Sequence, residues 1–491
     1  MASGKNSRLL FSLSLLAAGY WAASCTAAFG PGYTIDKEEV RVHFVGDPQP
    51  DIHVEADYRL RNTGNRPLPS LELRLPSRRR FHLASPSAQW DSHALSVEPS
   101  RPNPRNVLVT FPELWTVSSA HVLHISLDIQ RPDAAESSLN FAPDAFFLPA
   151  EGWSPQLLPS RGIFATGGVP PKRWVLTVQV PQGFLVHTGG RASKPSRRGG
   201  EQIIRVQQQP KDGYPFVIAG NFSSTQLSVG PETISLWTRA PQDTATLRQP
   251  ADAIVKSVAA YNAMFGSRSE ESHQLWFVEC PVVAGCFSGA ASNYAKLILE
   301  GNEKQSAQMA SLDSVMVDVA AGPPEIATSA GPSLASSWLG YGQNPGFFEQ
   351  EPPLSALPAF AASRGREAVQ GPEVRGDTIR HALRLVPVQG DPKKPEDDAV
   401  VRAKSFLFFY GLQDRYGQDT FNHALSHMLY ARRGGGFGLD DLIAAFEQET
   451  HQNVAEFVRR WMKHHGVPDD FRARYENAAG GIATNTKETI P

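Results

Sequence analysis

The sequence predicts an α+β protein, in which an N-terminal antiparallel β sandwich precedes a mixed domain that ends in helices. First, apolar and polar residues alternate with period two up to about residue 235. Second, this period changes near residue 245 to the spacing of an amphipathic helix. Third, the chain has helical periodicity from about residue 400 to residue 475 and then becomes polar.

The composition is that of a folded globular chain. Of its 491 residues, 41% are hydrophobic and 20% are charged, which excludes a disordered chain, a coiled coil and a polytopic membrane protein. The 47 Lys and Arg nearly balance the 49 Asp and Glu, so we expect no nucleic-acid partner. Three cysteines exclude a disulfide scaffold and a four-cysteine zinc site.

Residues 1–25 are predicted to be an export segment. Lys5 and Arg8 precede the apolar run Leu9–Ala18 and then small residues up to Cys25, as in secretory signals. The small residues before Cys25 also resemble a bacterial lipobox, although Ala22 stands where Leu is usual. Three alternatives stay open: lipidation at Cys25, simple cleavage, or an uncleaved signal anchor. Each predicts an exported protein, either periplasmic or held at the envelope membrane.

Residues 31–235 are predicted to form the β domain. The stretches 54–60 and 71–75 alternate on either side of an Asn/Gly turn, which predicts a β hairpin. Further strands are predicted at Val107–Phe111, Val122–Ile129, Trp174–Val180 and Phe216–Phe222.

Residues 240–476 are predicted to form the second domain, followed by a disordered tail at 477–491. Apolar residues at helical spacing run from Ile254 to Phe265, and residues 275–278 predict a short strand. Asn453 and Glu456 form a capping-box pattern before an apolar helical stripe. Cys280 and Cys286 are either a disulfide across a tight loop or two buried free thiols.

Common catalytic motifs are missing, but four segments occur in the order found in a known protein family. The chain has no G-x-S-x-G and no H-E-x-x-H. The segments are Trp153-x-Pro155, PFVIAGNF at 215–222, YNAMFG at 261–266 and FEQETHQNVAEFVRRWMKHHGVP at 446–468. Together they resemble the gluzincin aminopeptidases, the relatives of aminopeptidase N. The resemblance implies a saddle-like β domain followed by a thermolysin-like catalytic domain.

That family binds zinc through H-E-x-x-H and a Glu eighteen residues further on, and the Glu inside the motif is the general base. The segment GPSLASSWLGYG at 331–342 is similar to this motif. The resemblance places Pro332, Ser336 and Ser355 at the ligand positions and Ser333 at the base position. These residue types cannot replace imidazole or carboxylate, so no metal cofactor is expected. Pro332 is expected to begin a new helix, because a proline inside a helix is costly.

Two further positions of the family are also replaced. Its substrate-anchoring loop G-x-M-E-N corresponds to GAASN, Gly289 to Asn293, with Ser292 in place of the Glu. Its transition-state tyrosine corresponds to Arg402, with Lys404 kept.

The sequence therefore predicts an exported, catalytically inactive aminopeptidase-like protein. We expect it to bind an unidentified peptide or protein, or to act as a scaffold, at the envelope. The alternative is an active divergent metallo-aminopeptidase or another hydrolase of the same fold. A serine hydrolase would need an activating base, and His381 is only a remote candidate.

Overall fold

The computed structural model of the chain describes residues 32–45, 51–76, 82–100, 106–130, 141–148, 153–159, 168–208, 215–239, 243–268, 274–280, 309–311, 313–320, 322–339, 352–388, 396–432 and 436–477. The strands are β1 (Tyr33–Val45), β2 (Asp51–Asn62), β3 (Leu68–Arg74), β4 (His82–Trp90), β5 (His93–Leu95), β6 (Val97–Pro99), β7 (Asn106–Trp115), β8 (Ala120–Gln130), β9 (Phe141–Ala142), β10 (Ala145–Leu148), β11 (Gln156–Leu157), β12 (Trp174–Pro181), β13 (Leu185–His187), β14 (Arg191–Ala192), β15 (Ser196–Arg198), β16 (Glu201–Gln208), β17 (Val217–Gly220), β18 (Ser223–Val229), β19 (Glu232–Thr238), β20 (Gln274–Glu279), β21 (Met309–Ser311) and β22 (Ser314–Val317). The helices are α1 (Thr244–Phe265), α2 (Pro323–Leu339), α3 (Leu357–Gln370), α4 (Val374–Leu383), α5 (Asp398–Tyr416), α6 (Gln418–Ala431), α7 (Leu439–Thr450), α8 (Val454–Lys463) and α9 (Asp469–Asn477), with a 3₁₀ helix at Leu354–Ala356.

The chain divides into two units whose sequences interleave. The described residues of the first unit fall within Met1–Glu136, Glu151–Gly183 and Thr188–Pro215. The second unit comprises those within Ser137–Ala150, Phe184–His187 and Phe216–Pro491. Segments 137–150 and 184–187, which lie inside the predicted β domain, thus belong to the second unit.

Alternating burial builds a sandwich in the first unit. Along β2 every even-numbered residue from Ile52 to Asn62 is buried, so one face of the strand is turned to a core. The larger sheet has the order β14-β16-β12-β1-β2-β8-β4-β5, with β15 on β16, and the smaller has the order β11-β3-β7-β6. Trp90 of the larger sheet packs on Phe111 of the smaller with ring centroids 4.1 Å apart. The α+β prediction is confirmed, but β1 pairs with β12 in parallel, so the larger sheet is mixed.

The predicted hairpin across the Asn/Gly turn is wrong. β2 pairs with β1 and β8, whereas β3 pairs with β7 and β11. Asn62, which is fully buried, donates its side-chain amide to the carbonyls of Arg66 at 3.1 Å and Trp115 at 2.9 Å. These bonds hold the chain as it crosses between the sheets. The two apolar faces therefore face each other instead of sharing a ladder, which alternation alone does not distinguish.

The second unit joins two further sheets to a helical core. A five-stranded sheet has the order β18-β19-β20-β22-β21, and a four-stranded sheet has the order β13-β17-β10-β9. The predicted apolar face of α1 is confirmed, since Ile254, Val258, Tyr261 and Phe265 are 0–3% exposed. After α1 the helices resume at Pro323, well before the helical region predicted from about residue 400.

The final helices match the sequence pattern closely. The cap predicted at the start of α8 is confirmed at Asn453, whose side chain accepts a hydrogen bond from the Glu456 N–H at 3.0 Å. Val454 and Trp461 of the apolar stripe are buried. Among the described residues, no helix has the length and apolar character needed to cross a membrane.

Candidate functional site

The predicted zinc-ligand segment is a helix that continues through Pro332. α2 runs from Pro323 to Leu339, so the prediction that Pro332 begins a new helix is wrong. A proline inside a helix removes a backbone hydrogen bond and costs about 3 kcal/mol or more. The adjacent Leu334 and Ala335 are 1% and 0% exposed, and the burial of this face offsets the cost.

The residue before the proline lies close to the neighbouring helix. A Cβ added at Gly331 would lie only 2.6 Å from the Cβ of Ala362 on α3. The Gly331 carbonyl also accepts a hydrogen bond from the hydroxyl of Tyr261 on α1 at 3.5 Å. Burial raises the pKa of the Tyr261 hydroxyl, which stays protonated and can donate. Helices α1, α2 and α3 therefore meet in one close-packed junction.

Trp338 fixes the other end of the segment. Its indole N–H donates to the Gly266 carbonyl at 3.1 Å and to Asn262 Oδ1 at 3.2 Å, both at the end of α1. The guanidinium carbon of Arg268 lies 5.6 Å from the Trp338 ring centroid, within cation–π range. The family-like tryptophan thus serves to hold α2 on α1.

Ser355 lies in the 3₁₀ helix that leads into α3. Its side chain is half-buried between the buried Leu354 and Ala356. α2 packs on α3, and the 3₁₀ helix packs on α5. The segment with positions 332–336 therefore lies beside the helix that follows Ser355, and the turn with Ser355 lies beside the helix that carries Arg402. The side chains of Pro332, Ser333 and Ser336 lie outside the described part of the structure.

The residue types at these positions do not fit a zinc ion. Zinc in proteins is held by thiolate, imidazole or carboxylate groups. Proline has no side-chain donor, and serine offers only a neutral hydroxyl. Over the residues that the structure describes, no three His, Cys, Asp or Glu side chains are grouped as metal ligands.

Arg402 and Lys404 of α5 differ in their partners. Arg402 is half-buried, and its Nε is buried with no hydrogen-bond partner in the described part of the chain. Lys404 is 4% exposed and forms an ion pair with Glu396 at 3.1 Å. Its Nζ also donates to the carbonyls of Met462, at 3.4 Å, and His464. The kept lysine therefore joins α5 to the end of α8.

The remaining predicted positions are mostly outside the described residues. This holds for Gly289, Ser292 and Asn293 of the anchor loop, for Cys25, and for Cys286. Cys280 is buried and disulfide-bonded. The alternative of two free thiols is therefore wrong for Cys280. Its disulfide partner is predicted to be Cys286.

A buried His–Ser–Asp contact was missed by the sequence reasoning. His187 Nε2 lies 2.7 Å from Ser314 Oγ, and Ser314 Oγ donates to Asp313 Oδ1 at 3.0 Å. His187 also stacks on Trp276, with centroids 3.9 Å apart. The carboxylate contacts the serine and not the second ring nitrogen of the histidine, and Ser314 is 0% exposed. The contact therefore joins β13 to β22 and does not form a catalytic triad. His187 and Ser314 are 127 positions apart in the chain, so no local sequence pattern predicts their contact.

No family model matches the chain, and no curated protein matches it. Among solved structures it is similar to the M1 zinc metallopeptidase from Deinococcus radiodurans, with 14% identity, a TM-score of 0.48, and coverage of 90% of this chain and 96% of that one. A variant from the same organism bound to a Tyr-Ser-Ala substrate has 13% identity, a TM-score of 0.46 and the same coverage. A two-domain M1 zinc metallopeptidase variant bound to L-tryptophan has 14% identity and a TM-score of 0.48, again at 90% and 96% coverage. At these identities the similarity is one of fold.

Proposed function

We propose that this chain is an exported, catalytically inactive peptidase-like protein that binds a peptide or protein segment at the cell envelope. The observation that carries the proposal is the residue set Pro332, Ser333, Ser336 and Ser355. None of these side chains supplies a strong zinc ligand or a general base.

The surroundings of these positions support a binding role. Gly331 and Trp338 hold α2 in place through contacts with α1 and α3, so the segment keeps its fold without a metal. Arg402 has an unpartnered Nε among the described residues, and a guanidinium favours a carboxylate partner. Ser292 carries no charge for a free amino terminus, so we expect no preference for chain ends. An extended segment can be held by backbone hydrogen bonds along a strand edge.

The envelope location rests on residues 1–25. Their basic start, apolar run and small residues before Cys25 are typical of an exported chain, and a lipid on Cys25 would attach it to a membrane. An uncleaved signal anchor would have the same effect, whereas simple cleavage would leave a periplasmic protein.

Elemental analysis of protein purified without a metal-affinity tag tests the loss of the metal site. We expect no stoichiometric zinc and no chelator-sensitive aminopeptidase activity. The matched variant carries Pro332→His, Ser333→Glu, Ser336→His and Ser355→Glu, which restores the family's residues. This variant is expected to take up about one zinc per chain if the segments align as proposed. About one zinc in the wild-type chain, with activity abolished by a chelator, would overturn the proposal.

Capture of partners from an envelope extract tests the binding role. The wild-type chain is expected to retain a specific partner that Arg402→Glu loses, because the substitution reverses the charge offered to an acidic group. If neither protein retains a partner, or both retain the same set equally, the domain acts only as a spacer.

A further inference from the structure

An exposed apolar patch, the turn tip, lies where the chain passes from β7 in the smaller sheet to β8 in the larger sheet. It consists of Leu114, Val117 and Val122, which are 61%, 43% and 39% exposed. Trp115, within the same turn, is buried at 1% exposure. Among the described residues only six large hydrophobic side chains are exposed, and three of them lie in this nine-residue stretch. The turn therefore directs apolar surface outwards while its tryptophan stays in the core.

The turn tip lies at the same end of the larger sheet as the start of the described chain. In the β1–β2 ladder Tyr33 is paired with Asn62. The Asn62 carbonyl accepts a hydrogen bond from the Ser118 N–H, in the tip, at 2.9 Å. The Gly64 N–H donates to the Gly32 carbonyl at 2.8 Å. One short network of backbone bonds therefore connects Gly32, where the export segment joins the first unit, to the tip.

The distance from the export segment to this end of the sheet is short. Cys25 precedes Gly32 by seven residues, and seven extended residues span at most about 25 Å. If an apolar anchor extends to Ala28, the connection is shorter still. Attachment through residues 1–28 therefore keeps this end of the first unit near the lipid surface, whichever form the attachment takes.

We infer that Leu114 and Val117 of the turn tip insert into the lipid interface of the membrane to which the N-terminal segment attaches. This inference rests on the proposed membrane attachment and adds a second contact to it. An anchor within residues 1–28 holds the chain to the membrane at one point only. Exposed apolar side chains at the turn add a second contact, because burying them in lipid removes their surface from water. The two contacts together would fix the orientation of the first unit on the membrane.

Fluorescence quenching by lipid tests the inference in the full-length chain. The chain is reconstituted into vesicles of phosphatidylethanolamine and phosphatidylglycerol that contain nitroxide-labelled lipid. A small fluorophore is attached to Leu114→Cys or to Val117→Cys, and the parent chain measures labelling of the native cysteines. Val45→Cys is the matched control, since Val45 is 43% exposed and lies at the other end of β1 from Tyr33, within the first unit.

We expect quenching at both tip positions to exceed that at position 45 by several-fold. If the chain floats with the vesicles but all three positions are quenched equally, the tip contact is wrong and the membrane attachment stands. If the chain stays in the aqueous fraction, the attachment and the tip contact both fail. Two independent tip variants are used so that poor folding of one does not decide the result.

Discussion

The backbone of Gly411, in the middle of α5, lies directly against the indole ring of Trp461 on α8. A Cβ built at Gly411 would overlap the ring at Cζ2, so no side chain fits there. The same ring makes edge-to-face contacts with Phe408, at 5.9 Å, and Phe471, at 5.1 Å. Glycine inside a helix costs roughly 0.5–1 kcal/mol relative to alanine. At Gly411 the absence of a side chain offsets this cost, because it permits the close approach of two core helices.

We expect Gly411→Ala to lower the free energy of unfolding by about 1–3 kcal/mol, because the added methyl group forces the two helices apart. Gly376→Ala on α4 is the control. An added Cβ there meets only the end of the flexible Arg380 side chain, at 3.2 Å from Nη1. The control should be neutral or stabilising by up to about 1 kcal/mol. Urea unfolding of both variants decides, and equal stability of Gly411→Ala and wild type would contradict the predicted clash.

Glu38 predicts a pH dependence of stability in the first unit. Burial raises the pKa of the Glu38 carboxyl to about 7, and the hydrogen bond from the Trp174 indole, at 2.8 Å, opposes this only in part. The folded-state pKa lies above the unfolded value of 4.5. The contribution of this group is therefore fully present below pH 4.5 and is lost as the pH rises through 7.

Glu38→Gln should remove this dependence, because it keeps an oxygen for Trp174 but does not ionise. Relative to wild type, the variant should gain up to about 3 kcal/mol in unfolding free energy between about pH 5 and about pH 8. Glu39→Gln is the control, since the hydrogen bond from Lys37 lowers the pKa of Glu39. Glu39→Gln should change the unfolding free energy only slightly, and the variant should not become more stable than wild type as the pH rises. If the difference in unfolding free energy between wild type and Glu38→Gln does not change with pH, burial does not raise the pKa of Glu38.

The buried pair of Lys404 and Glu396 should contribute strongly to the fold. Lys404→Ala leaves the Glu396 carboxylate without its cation and removes donors to two carbonyls, so we expect a loss of about 3–5 kcal/mol. The exposed pair of Arg460 and Asp470, at 2.8 Å, is the matched comparison. Arg460→Ala should cost no more than about 1 kcal/mol. Thermal unfolding of both variants measures the contrast, and similar small losses would mean that Lys404 is dispensable to packing.

Export predicts the mass of the mature protein. We expect a chain that lacks residues 1–24 and carries a lipid on Cys25, as shown by intact-mass analysis of the envelope fraction. Cys25→Ser should keep the chain exported but without the lipid mass. An unprocessed cytosolic chain that starts at Met1 would exclude the predicted export.

Local patterns predicted elements well, and long-range relations poorly. The helix from Ile254 and the cap at Asn453 depend on neighbouring residues alone, and both are confirmed. The pairing of β2 and β3 was predicted wrongly because the same alternation suits a ladder and two facing sheets. Pro332 was predicted to begin a helix because its backbone cost is local, whereas the packing of Gly331 on Ala362 is not.

At the candidate site, too, local patterns were predicted better than long-range contacts. The resemblance pointed to the segments that form α2, the start of α3 and α5, and in the structure α3 packs on both α2 and α5. The full set of contacts of Lys404 could not be predicted from the motif, because two of its partners, the carbonyls of Met462 and His464, lie at the end of α8. The assignments of Pro332, Ser333, Ser336, Ser355 and Arg402 to family roles stay predictions.

The interleaving of the two units determines the order in which the chain can complete its structure during synthesis. All four residues of β10 are buried, yet its neighbour β17 is made only after the remaining strands of the first unit. The core that receives Phe147 also contains Val278 and Met316, which emerge later still. The apolar side chains of β10 therefore stay uncovered while the sandwich of the first unit forms. If the chain crosses a membrane with its N-terminus leading, β10 reaches the far side before the residues that cover it. A holding chaperone on that side is therefore expected to recognise β10.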